Sequence, residues 1–137
     1  MRNKKLSVEF PHALLGLSDL SILGFVSADL VGILPDQIGQ SLPSLKYISF
    51  ADNRLSGSLP STLSLMLNLE YADFKQNHFH GHMPEGGLAL MQKLDMSFNQ
   101  LSGTLAAYMN ATNLQRLHLC CNALSGSIPN AWLGEIE

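Results

Sequence analysis

Apolar and polar positions in this chain follow one frame, and the frame returns at nearly constant intervals. Its copies read LPSLKYISFADNRLSGSLP, MLNLEYADFKQNHFHGHMP, LALMQKLDMSFNQLSGTLA and ATNLQRLHLCCNALSGSIP. In each, an asparagine holds the same place: Asn53, Asn77, Asn99 and Asn122, separated by 24, 22 and 23 residues. A fifth copy, LSDLSILGFVSADLVGILP, carries Ala28 at that place. Self-similarity at this period is the signature of a solenoid, in which each repeat is one coil. A single coil cannot bury its own apolar residues, so stability comes from the interfaces between stacked coils.

The second copy shows what each position does. Leu42, Leu45, Ile48, Phe50, Leu55 and Leu59 are its apolar positions. The alternation over Tyr47 to Ala51 predicts a strand, with Ile48 and Phe50 inward and Tyr47, Ser49 and Ala51 outward. Repetition one period later predicts a parallel sheet. At the inside corner after the strand, backbone groups leave the ladder, and a buried unpaired one costs about 1–3 kcal/mol. A side-chain amide offers both donors and an acceptor, so the asparagines are expected to form a structural ladder.

Gly32, Gly57, Gly81, Gly103 and Gly126 follow four residues later, where a bend needs permissive dihedrals or a close backbone approach. Pro35, Pro60, Pro84 and Pro129 come three further on, with Ala106 in the fourth place. Small polar residues alternate between them, which predicts a second short strand on the flank. The junction EGGLALMQKL is shorter than its neighbours and contains Gly86 and Gly87, so a tight convex loop without helix is expected there.

These residues resemble the plant-specific class of leucine-rich repeat, LxxLxxLxLxxNxLxGxIP, from Leu17 to Pro129. A trace of an earlier copy stands in LSVEFP. The resemblance implies an α/β repeat solenoid: a curved parallel β-sheet on the concave face, and loop or 3₁₀ turns on the convex face. It divides the chain into a partial N-terminal repeat (1–16), about five repeats (17–129) and the start of a further one (130–137). The family includes receptor-like kinases, receptor-like proteins and polygalacturonase-inhibiting proteins of the cell wall. It implies a non-catalytic module that recognises a protein or peptide ligand, with a possible co-receptor, and an extracellular or cell-surface parent. Enzyme inhibition of the polygalacturonase-inhibiting type is the alternative. Ice or glycan binding, or a gene fragment without function, are weaker readings. The family's cysteine-rich caps are absent, so the chain reads as part of a longer ectodomain, or as one that self-associates through uncapped ends.

Composition narrows the picture further. A net charge of −3 and a pI near 5.9 argue against a nucleic-acid partner. No apolar run is long enough to span a bilayer, so no membrane contact is expected of this segment. MRNKK begins like a secretory leader, but Glu9, Pro11, His12 and Asp19 interrupt the stretch after it, so no signal peptide is expected. The adjacent Cys120 and Cys121 supply no disulfide framework. No cofactor or catalytic constellation is evident.

The outward positions arrange the candidate ligand face in rows: Ile22, Tyr47, Tyr71, Lys93 and Arg116; then Gly24, Ser49, Asp73, Asp95 and His118; then Val26, Ala51, Lys75, Ser97 and Cys120; then Ser27, Asp52, Gln76, Phe98 and Cys121, at the strand edge. Aromatics and arginine on a polar field are what interfaces favour. The ligand-binding set is therefore Tyr47, Tyr71, Asp73, Lys75, Lys93, Asp95, Phe98, Arg116 and His118. His118 is either a solvated histidine or a partner for Asp95 one coil below. His78, His80 and His82 alternate onto one side of the flank strand and are a weak metal candidate, with no carboxylate or cysteine nearby to complete a site. Asn110-Ala-Thr112 is a glycosylation sequon on the convex side.

Overall fold

The computed structural model of the chain describes residues 7–86, 90–105 and 113–128. Each of five coils gives one short strand to each of two parallel sheets, and the N-terminal segment adds one more to the flank sheet. The strands are β1 (Val8–Glu9), β2 (Ile22–Gly24), β3 (Leu30–Ile33), β4 (Tyr47–Ser49), β5 (Arg54–Ser58) and β6 (Tyr71–Asp73). They continue with β7 (His78–His82), β8 (Lys93–Asp95), β9 (Gln100–Thr104), β10 (Arg116–His118) and β11 (Ala123–Ser125). The concave sheet runs β2-β4-β6-β8-β10 and the flank sheet β1-β3-β5-β7-β9-β11. The convex side carries 3₁₀ turns at His12–Gly16 and Ser61–Leu65 and a one-turn helix, α1, at Ile38–Ser41. The chain is a leucine-rich-repeat solenoid, as the period implies. The LSVEFP segment joins it through β1, which pairs with β3, and through Phe10, which is buried.

The apolar positions of the second copy are all buried between coils. A file of phenylalanines threads the interior, with Phe25, Phe50 and Phe74 at centroid spacings of 6.2 and 6.1 Å. Phe10 and Phe79 meet this file edge-on. Spacings near 6 Å are within the range where aromatic pairs add to simple burial.

The asparagines tie each coil to the one before. Asn77 Nδ2 donates to the carbonyls of Phe50, Phe74 and Lys75, while its Oδ1 accepts the Leu55 N–H at 3.0 Å. Asn99 and Asn122 repeat the set, accepting from Phe79 and Leu101. Asn53 accepts twice, from Ala28 and Leu30. Ala28 has no amide of its own, so in that coil the corner is held only from the following one.

Two features depart from the simple alternation. The concave strands are three residues long and end at Ser49, Asp73 and Asp95. Ser49 and Ala51, expected to face outward, are each 1% exposed, because neighbouring coils cover such small side chains. The residues assigned to the strand edge are instead left-handed corners: Ser27, Asp52, Gln76, Phe98 and Cys121 have φ of 52–58°. Few non-glycine residues adopt this region. These five share only the lack of β-branching, so the corner leaves almost no mark in the sequence.

The repeated glycines answer both needs foreseen for them. All five have φ between 78° and 91°. In addition, a side chain of the preceding coil lies against several of them, such as Ile33 against Gly57 and the His82 ring against Gly103. A glycine outside the frame is tighter still: a Cβ on Gly39 of α1 would sit 1.7 Å from the Thr62 carbonyl oxygen. Thr62 Oγ1 also takes the Gly39 N–H at 3.2 Å and bonds the Asp36 carbonyl. Part of the short junction after Pro84, including Gly87, lies outside the described residues, as do Ala106 and Pro129.

Candidate functional site

Strand register assembles the first two rows as written in the sequence. Ile22, Tyr47, Tyr71, Lys93 and Arg116 are successive partners across the concave sheet, and so are Gly24, Ser49, Asp73, Asp95 and His118. Beyond the strands the coils stay in step: Ser27 N–H bonds the Ala51 carbonyl, Asp52 bonds Lys75, Gln76 bonds Ser97 and Phe98 bonds Cys120. The apolar alternation buries Ile48, Ala72 and Leu94, which directs the flanking residues of β4, β6 and β8 to the concave side.

Within this face Tyr47 and Tyr71 stack at 4.6 Å with an interplanar angle of 11°. Both are half-buried, and Ile22 and Lys93 are their next partners in register on either side. Lys75, Lys93 and Asp95 are half-buried as well, while Arg116, His118 and Phe98 are exposed. Phe98 stands at a left-handed corner, 53% exposed.

The two carboxylates are in register yet differ in their surroundings. Asp95 is desolvated, which would raise its pKa, but hydrogen bonds from Ser97 and His118 outweigh this and hold it below the usual carboxylate value. The His118 Nδ1 lies 3.2 Å from Asp95 Oδ2, so of the two arrangements open to it the exposed histidine takes the pairing. Asp73 is only 8% exposed. Burial pushes its pKa up, the Lys75 backbone N–H opposes this, and the nearby Asp95 charge adds to the rise. Burial, then Asp73, also raises the Tyr71 hydroxyl.

The sequence left Ser49 out of the ligand set. Its buried hydroxyl has no hydrogen-bond partner. It stands between Gly24 and Asp73 in the second row. Its place in the alternation was a signal, but the cover over it was not foreseeable. Inside the third coil a cavity of about 30 Å³ is lined by Leu63, Phe74, Met83 and Met91, room for a single water.

His78, His80 and His82 are exposed on one side of β7, with Phe79 buried beneath. Among the described residues no three His, Cys, Asp or Glu side chains gather as a metal site would need. Cys120 and Cys121 are exposed free thiols that contact each other, which raises the Cys121 pKa. Asn110 lies outside the described residues. Among the described residues no helix is long and apolar enough to cross a membrane.

A parallel sheet of in-register rows with interlocked asparagine corners defines a repeat-built solenoid. The Leucine Rich Repeat family model matches residues 44–66 and 113–134. Together with the five coils seen here, this places the chain in the leucine-rich repeat family. Toll-like receptor 9 of Mus musculus is 32% identical over 91% of this chain and 12% of the receptor. Receptor-like protein 18 of Arabidopsis thaliana is 31% identical over 98% of this chain and 16% of its own length. Among solved structures, the plant peptide hormone receptor RGFR1 in complex with RGF2 superposes with a TM-score of 0.85 at 29% identity. That match covers 95% of this chain and 21% of the receptor's. The chain thus spans between an eighth and about a fifth of these relatives.

Proposed function

We propose that this segment is a non-catalytic recognition module whose concave face holds an extended protein or peptide ligand, as part of a receptor-like protein acting outside the cell. The observation that carries this reading is the second and first rows taken together. Stacked tyrosines, two cations and a carboxylate pair lie in register on one open face. Aromatic anchors within a polar field concentrate binding energy in few residues, and such a surface takes a ligand across several coils at once. The peptide hormone receptor that superposes on the chain supports the same reading. Asp73 and Asp95 stand side by side in one open sheet rather than facing each other across a cleft, which favours binding over acid–base chemistry.

The test is a biosensor screen of the full chain against a library of synthetic secreted peptides and extracellular protein domains. Each hit is then measured against Lys93→Glu/Arg116→Glu, Tyr47→Ala/Tyr71→Ala and a flank control, His78→Ala/His80→Ala. Concave-face variants are expected to lose at least about tenfold in affinity, roughly 1.4 kcal/mol, with the flank control unchanged. Hits that bind all three variants like the parent would overturn the assignment of this face.

A further inference from the structure

The second row contains an opening as well as charges. Gly24 puts no side chain on the face, and a Cβ there would meet nothing within 4 Å. Next in register is Ser49, 1% exposed, with its hydroxyl unpartnered. Next again is Asp73, 8% exposed, whose Oδ1 accepts the Lys75 N–H at 3.1 Å. Its other carboxylate oxygen has no hydrogen bond among the described residues. The enclosed Ser49 hydroxyl is left without a partner, which is costly, while the second Asp73 oxygen is not enclosed and remains open to a ligand. Asp95, by contrast, is already met by Ser97 and His118.

The chemistry that completes this recess follows from its parts. An unpartnered carboxylate oxygen asks for a charged donor. The stacked Tyr47 and Tyr71 stand beside it in the first row, and aromatic faces attract planar cations. A guanidinium is planar, is always charged and carries several donors in a fixed fork, whereas an ammonium is a compact, strongly hydrated point charge. Charge along the face agrees with the placement. Lys93 and Arg116 lie toward the C-terminal coils. The charges that act on Asp73 are Asp95, Lys75 and Asp52, two acids and one cation.

We propose that Ser49 and Asp73, opened by Gly24 and walled by the Tyr47–Tyr71 pair, form a subsite for one guanidinium group, an arginine side chain of the ligand. This rests on the recognition reading above and gives the face a direction: cationic ligand residues over the early coils, anionic ones over Lys93 and Arg116. Arginine affinity rises with pH as Asp73 ionises, since only the carboxylate attracts the cation.

The probe is N-acetyl-arginine amide, titrated into the full chain and followed by backbone amide NMR, with the citrulline and lysine counterparts as controls. Saturable shifts centred on Ser49, Tyr71 and Lys75 are expected, with a dissociation constant on the order of millimolar. Citrulline should give no such shifts, and lysine should bind more weakly. Asp73→Asn should weaken arginine binding at least about tenfold, and Asp52→Asn should leave it largely intact. Gly24→Val, which fills the opening without touching charge, should also abolish it, so the proposal is tested even where Asp73→Asn perturbs the fold. Equal shifts from citrulline, an unaltered response in Gly24→Val, or shifts centred on the exposed Arg54–Asp29 ion pair of the flank, 3.4 Å apart, would overturn it. If the peptide screen still depends on Lys93 and Arg116 while arginine amide fails to bind, the recognition reading stands and the subsite alone falls.

Discussion

Replacing Asn77 by alanine tests the ladder at its centre. The side chain is 5% exposed and makes four hydrogen bonds. Its loss does not orphan all four partners. The Phe50 carbonyl keeps Asn53, the Phe74 carbonyl keeps Asn99, and the Lys75 carbonyl keeps the Asp52 N–H. The group that loses its amide acceptor is the N–H of Leu55, itself 0% exposed. One buried donor without its acceptor costs about 1–3 kcal/mol. In a domain of this size that lowers the melting temperature by roughly 3–10 °C. Amide hydrogen exchange at Leu55 should quicken more than at Phe79, whose N–H is held by Asn99. Because a repeat array unfolds partly coil by coil, exchange is the sharper readout. Asn77→Asp separates donor from acceptor. It keeps an oxygen for Leu55 but sets carboxylate oxygen against three carbonyls. It should therefore destabilise at least as much as alanine near neutral pH. Its aspartate would have a raised folded pKa, so the deficit should shrink as acid protonates it. If Asn77→Ala and Asn77→Asp both melt and exchange like the parent, the ladder does not hold the coils together.

The remaining predictions concern the convex turn and the carboxylate pair. Gly39→Ala should cost about 1–3 kcal/mol or more through overpacking against the Thr62 carbonyl. Gly16→Ala, with nothing within 4 Å, should be close to neutral, and equal denaturation midpoints for the two would refute this account. Asp73 has a raised folded pKa, so its contribution falls as pH rises above the usual carboxylate value. Asp73→Asn should then match or exceed the parent in stability at neutral pH, and the difference should fade in acid. Asp95 has a lowered pKa and contributes stability that is present above the usual value and lost as pH falls. Asp95→Asn should therefore be less stable at neutral pH, again converging with the parent in acid. Chemical denaturation at several pH values reads both, and parallel profiles for the two variants would contradict the assignment.

Much of this architecture was legible because repetition multiplies weak signals. One asparagine after an apolar run means little, whereas four at nearly equal steps, each with its glycine, define coils, sheets and register. The first two rows of the concave face follow from register alone, which sets Tyr47 beside Tyr71 and Asp95 beneath His118. What a period cannot convey is anything that varies between copies or depends on a neighbour's bulk. Ser27, Asp52, Gln76, Phe98 and Cys121 bend the chain through left-handed backbone, yet five unlike side chains give no hint of it. Gly39 lies outside the frame, and its necessity appears only when the next coil's Thr62 carbonyl is in place.

By itself, then, the sequence determined the solenoid, the two faces of its strands and the columns they form, because these depend on local periodicities of two and of about twenty-three residues. Only the tertiary structure decided which outward positions remain accessible. It is the stacking of unlike coils that covers Ser49 and Asp73, leaves Gly24 open and shifts two neighbouring carboxylates in opposite directions.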